Sequence, residues 1–112
     1  MDFYKDGKSV LALLNGTAET LAEVTANTTD GAVEKHVPVY KVSDGKVCVK
    51  VGSVSHPMLE NHDIEWVAVQ TDKGFYTKFL KPEQNPEACF TVGDETVEAV
   101  YAYCNLHGLW KA

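Results

Sequence analysis

From about residue 33 onward, apolar and polar residues alternate with a period of two. Lys46-Val47-Cys48-Val49-Lys50-Val51 is the clearest run, and it predicts a strand with one face buried. Residues 37–42 are also extended, with Pro38 restricting them to a sheet edge or a strand's first residues. Ser43-Asp44-Gly45 joins the two runs as a turn. A β-prone stretch follows over residues 63–71 around Trp66, then the turn Asp72-Lys73-Gly74 and a strand over 75–80. A loop with two prolines leads to strands over 88–92 and 97–103, joined through Gly93-Asp94-Glu95. Short strands, frequent turns and almost no helical periodicity indicate an antiparallel sandwich or barrel.

Residues 1–31 differ in composition. They are rich in Thr, Ala, Asn and Gly and hold no His or Cys. Ser9-Val10-Leu11-Ala12-Leu13-Leu14 reads as a strand entering a hairpin at Asn15-Gly16. Residues 20–24 form either a short helix or the partner strand. About 30 residues are too few for an independent core, so this segment is expected to pack on the main domain or a second subunit. Thr28-Thr29-Asp30-Gly31 reads as a turn or linker.

Composition adds limits. The chain has 112 residues, 45% hydrophobic and 23% charged, as expected for one ordinary globular domain. Its net charge of −6 argues against nucleic acid or an anionic membrane as the main partner. No apolar run reaches the roughly 18 residues of a membrane span, and the first residues lack the features of a secretory signal. The expected compartment is the cytoplasm. The cysteines are Cys48, Cys89 and Cys104, an odd number, so a disulfide framework is not expected. Cys48 and Cys89 read as small core hydrophobes.

Cys104 differs, because His107 follows it after a two-residue spacer and Gly108 comes next. The remaining histidines are His36, His56 and His62. All five residues fall at strand ends or in loops, where a rigid scaffold can gather distant side chains. The spacing alone is compatible with a metal site, including tetrahedral zinc on Cys104, His107 and two other histidines.

The sequence resembles the superoxide reductase family, which includes the desulfoferrodoxins and neelaredoxins. The matching segments are Glu34-Lys35-His36-Val37-Pro38, Val51-Gly52-Ser53-Val54-Ser55-His56-Pro57-Met58 and His62-Asp63-Ile64-Glu65-Trp66. They continue through Thr77-Lys78-Phe79-Leu80-Lys81-Pro82 and Pro86-Glu87-Ala88, and end with Tyr103-Cys104-Asn105-Leu106-His107-Gly108-Leu109-Trp110-Lys111. The resemblance covers residues 32–112 almost continuously and in the family's order.

The resemblance implies a seven-stranded immunoglobulin-like antiparallel β-sandwich over residues 32–112. Residues 1–31 would be a small desulforedoxin-like segment without metal ligands, because the four cysteines that bind a second iron in desulfoferrodoxins are absent. It implies one mononuclear non-haem iron (Fe2+/Fe3+), with His36, His56, His62 and His107 as equatorial ligands and Cys104 as the axial one. It further implies reduction of superoxide to hydrogen peroxide and re-reduction by an external carrier such as rubredoxin. Lys35 would attract the anion and order a proton-donating water, and Glu34 would close onto the ferric site. A homodimer is expected, with a tetramer as the alternative. The competing non-enzymatic reading is a zinc-binding or electron-transfer β-sandwich module.

Overall fold

The computed structural model describes all 112 residues. The amino-terminal segment contributes three strands, β1 (Asp2–Asp6), β2 (Ser9–Leu13) and β3 (Ala22–Val24). One helical turn, α1 (Val33–His36), leads into β4 (Pro38–Ser43) and β5 (Lys46–Val51). The chain continues through β6 (Ile64–Thr71), β7 (Phe75–Phe79), β8 (Glu87–Thr91), β9 (Val97–Cys104) and β10 (Gly108–Lys111). A four-stranded sheet, ordered β10-β9-β6-β7, faces a three-stranded sheet, ordered β4-β5-β8. Together these form the expected seven-stranded antiparallel sandwich.

The alternation read from the sequence builds the core between the sheets. Val47, Val49 and Val51 point inward from β5, while Ile64, Val67 and Val69 meet them from β6 with Val100, Ala102 and Cys104 from β9. The opposite faces of β6 and β9 are also covered, which explains why apolar residues occupy both faces of these strands over residues 66–69 and 99–102. Phe3 packs there with Ala68, Ala99, Tyr101 and Leu109. Its ring stacks on Trp66 at 5.7 Å and meets the edge of Tyr101 at 4.9 Å. Burying such a side chain contributes about 2–3 kcal/mol. The amino-terminal segment therefore packs on the sandwich of its own chain.

Several local expectations are corrected. β2 does not pair with β3; both flank β1, which the sequence pattern missed. The hairpin is made at Asp6-Gly7-Lys8, where Asp6 pairs with Ser9. Residues 33–36 are helical rather than extended, and the strand starts at Pro38. The seventh sandwich strand, β10, follows Cys104 where only a loop was expected.

The reading of Cys48 and Cys89 as separate core residues is also overturned. They stand directly opposite each other on β5 and β8, both exposed, and form a disulfide with Cα atoms 4.0 Å apart. The period-two pattern explains the miss. Val47 and Val49 occupy the buried face, so the residue between them faces solvent.

Candidate metal centre

The site lies at one end of the sandwich, and each side chain reaches it from a strand end or a tight turn. His36 ends α1, where Val37 N–H donates to the Val33 carbonyl at 3.0 Å. His56 lies in the loop after β5, where its N–H donates to the Val51 carbonyl at 2.9 Å. Leu59 and His62 exchange backbone hydrogen bonds of 2.9 and 3.1 Å, closing a turn just before β6. Cys104 ends β9, and His107 is the last residue of the three-residue loop that joins it to β10. Gly108 completes that loop at φ +80°, a left-handed conformation that glycine adopts without a Cβ clash.

The sequence-singled set, His36, His56, His62, Cys104 and His107, converges, with ligand atoms within 4.8 Å of one another. His36 Nε2 lies 3.1 Å from both His56 Nε2 and His107 Nδ1. Ring centroids of neighbouring histidines are 4.6, 4.7, 5.2 and 4.8 Å apart around the circuit His36, His56, His62, His107. The Cys104 Sγ is 3.6 Å from His56 Nε2 and 3.7 Å from His107 Nδ1. Two nitrogens bound at right angles to one ion, each about 2.1 Å away, lie about 3.0 Å apart.

Hydrogen bonding fixes which nitrogens carry lone pairs. His36 Nδ1–H donates to the Ala32 carbonyl at 2.7 Å, and His56 Nδ1–H donates to the Pro57 carbonyl at 2.6 Å. In neutral imidazole the other nitrogen is then unprotonated. Two lone pairs thus face each other across 3.1 Å with no proton between them. His62 Nε2 is buried with no hydrogen-bond partner. Buried polar atoms left in this way carry a large desolvation cost unless something binds them. A cation placed among these nitrogens resolves both conflicts.

Protonation states agree. Burial lowers His36, and it lowers His56 from the ordinary 6.5 to about 4. Both rings are therefore neutral donors at neutral pH. Burial pushes the Cys104 thiol up, opposed by backbone N–H groups of His107 and Leu106. A bound cation is what makes the thiolate favourable there.

A second layer holds the donors, and most of it was not visible in the sequence. Trp110 Nε1–H donates to the His107 carbonyl at 3.0 Å. That carbonyl also accepts from the Thr29 hydroxyl. The Asn105 carboxamide accepts from Asp63 N–H at 3.0 Å and donates to the Asn61 carbonyl at 2.9 Å, binding the hairpin to the His62 turn. Asn27 N–H donates to the Leu109 carbonyl, and its side chain exchanges two bonds with the Lys111 backbone at 2.8 and 2.9 Å. A Cβ on Gly31 would sit 3.2 Å from Trp110 and 3.3 Å from His36.

Glu34 and Lys35 are exposed on α1, immediately before His36. The Glu34 backbone is fixed: its carbonyl accepts from Val54 N–H at 2.9 Å and from the Ser53 hydroxyl at 3.2 Å. A Cβ on Gly52 would come within 2.7 Å of that carbonyl, so only glycine allows this approach.

The fold and the convergent donors define an immunoglobulin-like sandwich carrying a four-histidine, one-cysteine metal-binding group. The Desulfoferrodoxin family model matches residues 28–112. A desulfoferrodoxin of Desulfarculus baarsii is 52% identical over 89 residues, covering 80% of this chain and 70% of the relative. One from Clostridium acetobutylicum is 45% identical over 112 residues, covering 95% and 88%. The crystal structure of the superoxide reductase from Treponema pallidum superposes with a TM-score of 0.78 at 41% identity, covering 95% of this chain and 80% of that one. The chain belongs to the desulfoferrodoxin family of superoxide reductases, as a member without the amino-terminal cysteine-ligated iron site. No helix is long and apolar enough to cross a membrane.

Proposed function

We propose that this protein is a superoxide reductase, adding one electron and two protons to superoxide and releasing hydrogen peroxide without dioxygen. Residues 32–112 would form the catalytic domain, with His36, His56, His62, His107 and Cys104 holding one mononuclear non-haem iron. The observation that carries this reading is the ring of four converging imidazoles, in which the His36 and His56 Nε2 lone pairs face each other and His62 Nε2 is buried without a partner, with a thiol beside them. Structural zinc takes four donors in a tetrahedron, whereas five donors of this mixed set suit iron. Bound there, ferrous iron supplies the electron, and the thiolate strengthens it as a donor.

The surrounding residues handle charge and protons. Lys35 places a mobile ammonium beside His36 and draws the anion towards one point of a chain whose net charge is −6. The same ammonium orients a water that delivers a proton. Glu34 offers a hard carboxylate that suits the ferric state and closes towards the site after turnover. Because its backbone is anchored by Ser53 and Val54, that movement is a swing of the side chain. A rubredoxin-like carrier returns the electron. We place the protein in the cytoplasm as a homodimer, with residues 1–31 as a desulforedoxin-like remnant.

The test is to supply superoxide to iron-loaded protein and measure both products, with metal analysis of protein from its native host. Peroxide without dioxygen, together with iron, is expected. Dioxygen released alongside peroxide would mean dismutation, and zinc in place of iron would mean a structural module.

A further inference from the structure

The sheet β4-β5-β8 has an outer face that the metal chemistry does not use. The strand registers place its residues in rows. Lys41, Cys48 and Cys89 form one row, with Ser43, Lys46 and Thr91 on one side and Val39, Lys50 and Glu87 on the other. Cys48 thus has three lysines as neighbours on its face. Lys41, Lys46 and Cys48 also line one surface concavity with Ser43 and Asp44. Asp44 and Glu87 are the acidic groups nearby, Glu87 standing directly opposite Lys50.

We propose that Cys48 and Cys89 are a reversible dithiol–disulfide site, closed by hydrogen peroxide and opened by a dithiol reductant. Both cysteines are exposed, and exposed disulfides are the labile ones. Breaking the bond uncovers no apolar core, because Val47, Val49 and Ala88 are buried on the other face of the same strands. The strands also remain joined by their five-residue ladder. Opening therefore leaves both thiols poised opposite each other, and neighbouring ammonium groups favour the reactive thiolate.

In closing, one thiolate attacks a peroxide oxygen, the O–O bond breaks, and a sulfenic acid and hydroxide form. The second thiol attacks the sulfenic sulfur, forming the S–S bond and releasing water. Two thiols are oxidised by two electrons, and one peroxide becomes two waters. In opening, a reductant thiolate attacks one sulfur, and its second thiol resolves the mixed disulfide. Only the source of peroxide rests on the proposed superoxide reduction. Added peroxide would close the pair whether or not the chain consumes superoxide.

The experiment treats the folded, iron-loaded protein with dithiothreitol, then alkylates and weighs it. Two labels are expected, on Cys48 and Cys89, with Cys104 protected and the circular dichroism of the sheets unchanged. Peroxide added after removal of the reductant should return the unlabelled mass, while the Cys48→Ser/Cys89→Ser variant takes no label at any stage. Replacing Lys41, Lys46 and Lys50 by Gln should slow closure about fivefold at neutral pH. Labelling only after denaturation would overturn the proposal in favour of a structural staple. So would peroxide driving the open thiols to sulfinic acids instead of a disulfide. Closure at an unchanged rate in the lysine variant would overturn the activation by ammonium groups.

Discussion

Trp110 stacks on His36 with ring centroids 4.9 Å apart and planes 29° apart. The same indole holds the His107 carbonyl through its N–H. One buried side chain thus orients two imidazoles that approach each other from opposite ends of the sequence. Trp110→Phe keeps an aromatic ring but loses the N–H and part of the buried indole surface. It should weaken metal retention about tenfold, measured by chelator competition, because outer hydrogen bonds to ligand loops contribute that much. Trp110→Ala should in addition lower folding stability by about 3–5 kcal/mol, read by denaturant unfolding.

Cys104→Ser should abolish the visible thiolate-to-ferric charge-transfer band of the oxidised protein. The hydroxyl fills nearly the same buried space, so the sandwich should still fold. A spectrum unchanged from wild type would remove Cys104 from the ligand set.

Lys35→Ala should slow the second-order reaction with superoxide while metal content stays at the wild-type level. Removing a steering charge also flattens the dependence of that rate on ionic strength. Stopped-flow measurement across a salt series checks both, and an unchanged rate and slope would exclude Lys35 from the mechanism.

The pH response of the metal-free protein follows from His56. Its folded pKa of about 4 lies below the ordinary 6.5, so between these values the unfolded chain binds more protons. Stability is therefore fully present above about pH 6.5 and is lost as pH falls towards about 4, by an amount on the order of 3 kcal/mol. Denaturant midpoints measured across that range check it, and His56→Gln should make the profile shallower, leaving the part that His36 contributes in the same direction.

Gly52→Ala should disturb the site without touching a ligand. The new methyl group would press on the Glu34 carbonyl and force the Val33–His36 turn outward. Weaker metal retention is expected, with the far end of the sandwich unaltered in amide hydrogen exchange.

Much of this architecture could be read in the chain. Alternation over 46–51 placed β5 and its buried face, because one wet side of a sheet leaves a period of two. The five donors were recognisable because His and Cys carry their chemistry in their side chains. The supporting layer was not. Carbonyls of Ala32 and Pro57 leave no residue signature, and the role of Trp110 depends on a strand, β10, too short for pattern to reveal. Cys48 and Cys89 escaped because pairing is a matter of register between strands 41 positions apart. β1 was missed because only Phe3 is fully buried among its five residues.

The clasp of Asn27 on Lys111 bears on how this scaffold can be recombined. A chimera that exchanged its amino-terminal module as far as residue 31 would discard Asn27, Thr29 and Gly31 together and leave the His107 hairpin unbraced. A junction ahead of Thr25 would keep that fastening, and the grafted module would then have to supply only an apolar cover for the face on which Phe3 packs.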